Sequence, residues 1–515
     1  MKNKTLWVVL GFIAILAIVC NIYYSEQIHF WPQGIHDWAQ ADRLSLAINF
    51  YDHGMDFFHP RTNNIYSTDG ITGVELPLQS YIAAIGGKLL GRDHISACFR
   101  LLDILITCTG LVFLFMTCYK ATKDFVFSMF TPLYMFMCPI LIYYTCNYIP
   151  DSAACSLAFI SFYFILGYIH NRTTRSMGWA VAVLTLAALI KTSLALYLLG
   201  FLGFVLLERI TNSTAFSKKQ NLSFVLAGAL SFAAIVGQYL HNHYLNTHFN
   251  STVYLAQTNP FKDWAQARYY FEGSFKHVWS KEYMLLSQYP LYVAMVIMGI
   301  MLLLKTTTGR KELRLLLIFF AGTVAVTYFM GGQMLNHDYY AVSMYMPLWG
   351  FGLLISTIGI RQYITQADVL KVVRVGLLSA TVICFFFADY HSHQRLQLGY
   401  IGYSPHEQLW FVGGDKVLDE LKIPADEKLV VLYEDAPNTA LIYFNRRGYH
   451  VSPHIMRDGN WLRAFVQKLK VRTVVFDTTW QPNIITGDEA FKRYFEEVGV
   501  RGRVTVWRLK QQYTL

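Results

Sequence analysis

Long apolar runs separated by short polar connections dominate the chain up to about residue 390 and predict a series of membrane-spanning helices. A helix needs about 20 apolar residues to cross the hydrocarbon layer of a bilayer. Eleven runs approach or reach that length, and the neighbouring pair 177–190 and 194–208 is the shortest. The predicted spans are 6–24, 98–118, 124–142, 148–169, 177–190, 194–208, 221–241, 284–304, 312–330, 338–358 and 373–389.

Basic residues cluster in alternate connections and predict the orientation of the chain. Short cytoplasmic loops carry an excess of Lys and Arg, so we expect these connections and the N-terminus to be cytoplasmic. The odd number of spans then places the C-terminal tail outside. The first run lacks an A-x-A-like cleavage site, so we expect a retained helix rather than a signal peptide. The basic connections lie near 119–124, 170–176, 209–220, 305–314 and 359–374.

Two predicted outer loops, 25–97 and 242–283, are too long to be simple connections, and loops of this length usually carry function. In the first loop, apolar residues recur at helical spacing between Asp37 and Asp52, which predicts an amphipathic helix on the membrane surface. A second helix is expected from Pro77 to Leu90, with Gly91 ending it.

The tail has the pattern of a small α/β domain. Strand-like runs alternate with helical stretches, so we divide the chain into a transmembrane domain, 1–395, and an extracytoplasmic α/β domain, 396–515. The tail has no glycine-rich nucleotide motif. The predicted strands are Leu429–Tyr433, Thr473–Phe476 and Val504–Leu509, and the predicted helices are 413–422, 436–446, 459–470 and 487–498.

Composition supports a membrane protein and excludes other classes. Hydrophobic residues make up 54% of the chain and charged residues 15%, against about 25% in an ordinary soluble domain. The net charge of +10 does not indicate a nucleic-acid partner, because much of it lies in the short inner connections. The eight cysteines lie in or beside apolar segments without a CxxC pair, so we expect no structural disulfide and no thiolate zinc site.

Two carboxylates in the first outer loop could carry chemistry. Asp37 is the candidate general base for an alcohol acceptor, a weak nucleophile that needs its proton removed. Asp37 followed by Gln40 also fits a helix N-cap with a partial capping box, and the two roles are compatible. Glu75 could hold substrate or ligate a divalent metal, or it could stabilise a helix N-terminus. No cofactor is certain from the sequence.

Candidate cations for a phosphate group lie on the same predicted side. They are Arg43, Lys191 and His337, and Asp151 also emerges there. A charge inside an apolar segment costs about 2.5–3.5 kcal/mol at mid-bilayer, so such residues tend to be functional. The alternatives are a solvated helix face for Arg43 and a side chain of Lys191 that extends to the interface. If these residues act together in one reaction, we expect the separated clusters to meet in one extracytoplasmic pocket.

Several motifs in order resemble the GT-C superfamily of integral-membrane glycosyltransferases. The resemblance is to the bacterial branch related to dolichyl-phosphate-mannose protein mannosyltransferases and to the lipid A aminoarabinose transferase, and it covers about 30–360. It rests on His36-Asp37-Trp38 with Ala41-Asp42-Arg43, Glu75-Leu76-Pro77-Leu78, Pro150-Asp151, Leu189-Ile190-Lys191-Thr192 and His337-Asp338-Tyr339-Tyr340.

The resemblance implies a GT-C fold in a bacterial inner membrane and an inverting transfer from a polyprenyl-phosphate sugar. It implies that Asp37 is the base and that Glu75 lies near the donor phosphate, and it adds Tyr339 to the site. Protein mannosyltransferases tend to have adjacent Asp-Glu where Asp37 precedes Trp38, and the aminoarabinose transferase has Glu-Lys where this chain has Glu75-Leu76. The phosphate-binding cation must therefore come from elsewhere, such as Lys191 or Arg43.

The sequence therefore predicts a glycosyltransferase that moves a hexosyl or pentosyl group to an extracytoplasmic lipid, glycan or protein. Its partners would be the lipid-linked donor, the acceptor and membrane lipids, with no nucleic acid. The first alternative is a transporter or flippase for a lipid-linked envelope precursor, which predicts charges at span centres and repeated broken helices. The spans show neither feature. The second alternative is a non-catalytic assembly protein whose tail binds a partner.

Overall fold

A computed structural model describes residues 2–212, 216–254, 258–274, 282–334, 337–397, 410–479 and 487–513. The chain divides into two compact units. The first comprises Met1–Phe30, Phe99–Leu240 and Ala256–Arg395, and the second comprises Trp31–Cys98, His241–Leu255 and Leu396–Leu515. The second unit thus contains most of the predicted first outer loop as well as the tail.

Helices occupy every predicted span, because each run is apolar enough for lipid and only a helix satisfies its backbone there. Among the described residues, eight helices, counted with any short helical turn that leads into them, are at least 18 residues long and apolar enough to cross a membrane, and the count is up to nine if a pair bent by 77° is one span. The α-helices described up to residue 397, whether or not they span, are α1 (Lys2–Tyr24), α2 (Asp37–Asp52), α3 (Leu78–Leu90), α4 (Ile95–Thr122), α5 (Phe125–Phe136), α6 (Pro139–Thr145), α7 (Asp151–Asn171), α8 (Thr174–Ile190), α9 (Ala195–Thr211), α10 (Lys218–His248), α11 (Trp264–Ser274), α12 (Gln288–Leu303), α13 (Thr307–Met334), α14 (Tyr340–Met344), α15 (Met346–Tyr363) and α16 (Ala367–Gln397).

The bent pair is α5 and α6, where a single span was expected at 124–142. Pro132 lies inside α5 and Pro139 begins α6. A proline cannot donate the backbone hydrogen bond that would continue a helix through it, so Pro139 is a natural place for the break. The apolar helices α8 and α12 are shorter than 18 residues, and α9 reaches that length only with the 3-10 turn Thr192–Leu194 that leads into it.

A five-stranded mixed sheet forms the centre of the tail. Its order is β2-β1-β3-β5-β4, in which β1 pairs in parallel with β2 and β3 and the other pairs are antiparallel. Alternate residues of β1 pack in two separate apolar clusters, so both faces of the sheet are covered. The elements are α17 (Gly414–Glu420), β1 (Leu429–Leu432), α18 (Thr439–Tyr443), β2 (Gly448–Val451), α19 (Gly459–Leu469), β3 (Thr473–Asp477), α20 (Glu489–Tyr494), β4 (Phe495–Arg501) and β5 (Val504–Leu509).

Two predictions for the tail are wrong in detail. The helix expected at 487–498 ends at Tyr494, and the following residues form strand β4 at the edge of the sheet, where only Phe495 is buried. Strand β2 was not expected, because Gly448 is a weak strand former in isolation. Here the glycine is required, since a Cβ at this position would lie 2.1 Å from the carbonyl oxygen of Leu429.

Helix α2 is not an amphipathic helix resting on a membrane surface, as the sequence predicted. Its polar residues Gln40, Ser45 and Asn49 are as buried as its apolar ones. They are covered because the segment around Asn63 and strand β2 pack in the same unit, with Gly448 N–H donating to the Asn63 carbonyl at 3.0 Å. Polar side chains can be buried this way because they find hydrogen-bond partners.

Candidate active site

Asp37 is the first residue of α2 and is only 9% exposed. His36 precedes it in the left-handed conformation, with φ of 59°, and turns the chain into the helix. The Asp37 carboxylate accepts a hydrogen bond from the N–H of Trp38 at 2.8 Å. The expected capping box is absent from the described contacts of this turn: Gln40 instead donates to the carbonyls of Gln33 and Ile35. Its amide fixes the loop that leads to Asp37.

Burial raises the pKa of Asp37 to about 6, against the opposing effects of the Trp38 N–H and the charge of His36. A carboxylate that accepts a proton near pH 6 is ionised at neutral pH and is still basic enough to take a proton from an acceptor. The position and electrostatics of Asp37 therefore suit a general base.

Glu434 is a second acid beside Asp37 that the sequence reasoning missed. Burial, followed by the negative charges of Asp37 and Asp435, raises the pKa of Glu434 to about 8, although the N–H of Ala436 donates to its carboxylate at 2.9 Å. Glu434 follows strand β1 at its carboxyl end, and this edge of a parallel sheet is where ligands usually bind. Its position directly after a predicted strand was the signal from which the sequence could have identified Glu434.

A buried polar network fixes the Glu434 loop against α2. Asn438 donates to the carboxylate of Asp42 at 2.8 Å and accepts from the N–H of Asn64 at 2.8 Å. Ser45 donates to Asn63 at 2.9 Å within the same network. Burial raises the pKa of Asp42 to about 6 despite the hydrogen bond from Asn438. Each of these groups thus holds the segment that carries Asp37 and Glu434.

Arg43 and Glu75 form an ion pair rather than two separate contacts with solvent. An Arg43 Nη atom lies 2.7 Å from Glu75 Oε2, and the side chains are 13% and 23% exposed. The guanidinium also lies 5.0 Å from the ring centroid of Tyr254. Glu75 does not begin α3, whose N-cap is Pro77. The ion pair lies beside an aromatic ring and belongs to the same unit as Asp37.

Lys191 and Asp151 form a buried ion pair in the first unit. Lys191 Nζ lies 3.2 Å from Asp151 Oδ2, and the side chains are 6% and 0% exposed. The Lys191 side chain is therefore buried in the protein, whereas the alternative hypothesis required it to extend to the membrane interface. Its ammonium also lies 4.4 Å from the ring centroid of Tyr340 and 5.1 Å from that of Tyr339. The motifs that contain Asp151, Lys191 and Tyr339 therefore come together.

A second charged group in this unit is centred on Asp338. Its carboxylate accepts from Arg395 at 2.6 Å and from the Tyr144 hydroxyl at 2.5 Å, and Arg395 also pairs with Glu282. His337 bonds through Nδ1 to the Gln333 carbonyl at 2.9 Å, and its ring lies 5.4 Å from that of Tyr339. The sequence analysis missed Arg395. The feature that could have identified Arg395 is its position as a charged residue in the last turn of the last apolar helix, α16.

Comparisons with solved structures decide the fold class. ArnT from Cupriavidus metallidurans in the apo state matches over 100% of this chain and 99% of its own, with 11% identity and a TM-score of 0.58. The same protein bound to undecaprenyl phosphate matches with 12% identity, a TM-score of 0.57 and 99% coverage of both chains. The chain has the GT-C fold. The Archaeoglobus fulgidus oligosaccharyltransferase in the apo form matches over 95% of this chain and 73% of its own, with 13% identity and a TM-score of 0.52.

No protein-family model and no curated protein matches the sequence. The similarity to known proteins is therefore seen in the fold and not in the sequence. Together with its apolar helices, the GT-C fold makes this chain a multi-pass membrane protein. The fold class predicted from the sequence, helical spans followed by a C-terminal α/β domain, is confirmed.

Within this GT-C fold the seven predicted site residues fall into two groups, one in each unit. The second unit contains Asp37, Arg43 and Glu75, and the first contains Asp151, Lys191, His337 and Tyr339.

A metal at Glu75 does not fit the contacts of that residue. Its carboxylate already faces the guanidinium of Arg43 at 2.7 Å, which opposes a second cation. Among the described residues, no group of three or more His, Cys, Asp or Glu side chains is arranged to hold a metal ion.

Proposed function

We propose that this chain is a glycosyltransferase that moves a sugar from a polyprenyl-phosphate carrier to an acceptor on the extracytoplasmic side of a bacterial inner membrane. The observation that carries the proposal is a buried carboxylate, Asp37, with its pKa raised to about 6, in a chain with the GT-C fold. The match to ArnT bound to undecaprenyl phosphate supports a polyprenyl-phosphate donor.

In the proposed reaction, Asp37 takes the proton of an acceptor hydroxyl while the hydroxyl oxygen forms a bond to the anomeric carbon of the donor. The bond from that carbon to the phosphate oxygen breaks, and its electron pair leaves with the lipid phosphate. Attack opposite the leaving group inverts the anomeric configuration. The donor is hexosyl or pentosyl in this proposal.

We assign the leaving phosphate to the cationic groups. Lys191 is held by Asp151 at 3.2 Å, so its ammonium keeps one position without reorganisation during the reaction. Arg43, held by Glu75, and His337, beside Tyr339, are the further candidates.

The test is turnover of lipid-linked sugars by the purified full-length protein in nanodiscs. A panel of polyprenyl-phosphate hexoses and pentoses is offered with envelope glycolipid, and released polyprenyl phosphate is measured. Asp37→Asn should lower turnover by about 100-fold or more, because the carboxamide cannot accept the proton. The matched control is Asp56→Asn, a partly exposed residue of the same loop paired with His59.

The pH profile supplies a second readout of the same prediction. Since Asp37 acts in its ionised form, turnover should fall as the pH decreases through about 6. An acid limb near 4, or near-normal turnover by Asp37→Asn, would remove this residue from the mechanism. If the wild-type protein moves intact donor across a bilayer and releases no polyprenyl phosphate, it is a transporter instead.

A further inference from the structure

A cavity of about 320 Å³ lies within the second unit, bordered by α2, the turn before α4 and the tail. This volume falls in the range of about 300–1,000 Å³ that is typical of small-molecule sites. The seven predicted site residues are all described by the structure, and none of them lines the cavity. The cavity is therefore a separate feature that needs its own explanation.

Helix α2 connects the cavity to Asp37. Leu44 and Ile48 line the cavity, and they follow Asp37 by two and three helical turns. Seven residues at about 100° each return to nearly the same face of a helix, and at 1.5 Å each they span about 10 Å. Asp37 and the cavity therefore lie on the same side of α2, about 10 Å apart along its axis.

Two aromatic rings form one wall. Trp31 and Tyr443 have ring centroids 5.5 Å apart and are inclined by 43°. The Tyr443 hydroxyl donates to the carbonyl of Pro32 at 3.0 Å, which fixes the ring in position. Both side chains line the cavity and are partly exposed. Rigid aromatic faces of this kind offer apolar area to the C–H faces of a ligand at low conformational cost.

The polar groups of the cavity do not favour an anion. Arg92 is already bound by both carboxylate oxygens of Asp52, at 2.8 and 2.9 Å. Asp93 and Asp415 then oppose the single ammonium of Lys416, so the local charge is slightly negative. Carboxylates accept hydrogen bonds from hydroxyl groups, and the amide of Asn445 both donates and accepts. An uncharged molecule with many hydroxyls satisfies these groups, whereas a phosphate does not.

We propose that this cavity binds an uncharged sugar residue of a glycan acceptor. A neighbouring sugar of the same acceptor then presents its hydroxyl to Asp37, about 10 Å from the cavity. This inference rests on the proposed transferase function and selects a glycan among the lipid, glycan and protein acceptors that the sequence left open.

Direct binding is tested by saturation-transfer NMR on the full-length protein in nanodiscs. The probes are neutral disaccharides, namely cellobiose, mannobiose and chitobiose, with glucose 6-phosphate and inorganic phosphate as anionic arms. We expect at least one disaccharide to bind, neither anion to compete, and Asp415→Asn to weaken binding about tenfold through loss of a charge-assisted hydrogen bond. Glu420→Gln is the matched control, because Glu420 lies on the same helix α17, is exposed and is absent from the lining.

Kinetics distinguish this inference from the transferase proposal. Asp415→Asn should raise the KM for a glycan acceptor about tenfold and change kcat by less than twofold. The inference is overturned if no disaccharide binds, if an anion displaces it, or if Asp415→Asn and Glu420→Gln behave alike. If disaccharides bind as expected while Asp37→Asn retains turnover, the cavity stands and only the catalytic role of Asp37 falls.

Discussion

Asp37 and Glu434 have raised pKa values for the same reason, because burial penalises the charged form of each carboxyl group. For Glu434 the charge of Asp37 adds to this effect. Two acids whose pKa values differ by about two units can hold different protonation states at neutral pH. Asp37 is then mostly ionised and Glu434 mostly protonated, so one accepts a proton while the other can donate a hydrogen bond.

Glu434 gives a prediction for stability. Its pKa rises from the ordinary 4.5 to about 8 on folding, so the folded protein binds more protons than the unfolded chain between these values. Stability therefore decreases as the pH rises through this window. Glu434→Gln should stabilise the protein by about 1–3 kcal/mol at pH 8.5 and much less at pH 4.5.

The measurement is the thermal unfolding midpoint of wild type and variant at both pH values. The exposed Glu420→Gln serves as control and should show no pH-dependent difference. Equal shifts for Glu434→Gln at the two pH values would contradict a raised pKa.

The sequence indicated Asp37 but not Glu434, and the reason is physical. Asp37 lies in a polar loop shortly after an apolar span, and that local context is visible in the sequence. Glu434 becomes relevant only because the tail packs on α2, through a contact between Asp42 and Asn438 that joins residues 396 positions apart. No local pattern reports such a contact.

Helix α2 illustrates the same limit for an element. Its apolar spacing correctly predicted a helix, yet that spacing is equally compatible with a membrane surface and with a folded core. The polar residues decide between the two, since Ser45 and Asn49 both bond to the Asn63 side chain inside the second unit. The membrane spans were predictable because length and hydropathy alone determine them.

The polar network should stabilise the contact of α2 with the tail. Asn438→Ala removes the donor to the buried Asp42 carboxylate and leaves that group without its 2.8 Å partner. An unsatisfied buried group of this kind costs about 1–3 kcal/mol. We expect a lower unfolding midpoint, measured by thermal unfolding in detergent.

Asn460→Ala is the matched control, because Asn460 is an exposed residue in the tail helix α19. Equal midpoints for the two variants would show that the network does not contribute to stability.

At the scale of the molecule, ion pairs join the basic loops that the sequence predicts to lie on one side of the membrane. Asp124 accepts from Arg361 at 2.7 Å and from Arg374 at 2.6 Å. Glu208 pairs with Lys311 at 2.9 Å and Arg314 at 3.1 Å in one connection, and with Arg172 at 3.5 Å in another. Loops that touch must emerge on the same side, so these contacts agree with the predicted alternation. Which side is cytoplasmic stays a prediction.

Cysteine labelling checks the orientation. In intact cells, a membrane-impermeant maleimide should label Glu420→Cys in the tail and should not label Lys218→Cys in a basic connection, although both positions are exposed. Lysed membranes should label both variants, and the parent protein gives the background of its eight native cysteines. Labelling of Lys218→Cys in intact cells would reverse the topology.

The second unit is assembled from three stretches of chain, Trp31–Cys98, His241–Leu255 and Leu396–Leu515. Ribosomes produce the first of these long before the last. On the predicted topology, α2 therefore lies on the extracytoplasmic side, with Ser45 and Asn49 still hydrated, while the remaining helices enter the bilayer. The hydroxyl and amide groups of α2 tolerate that delay better than an apolar surface would, because water can occupy their hydrogen-bonding sites until the sheet arrives. We therefore expect these polar residues to lower the tendency of the unassembled segment to aggregate.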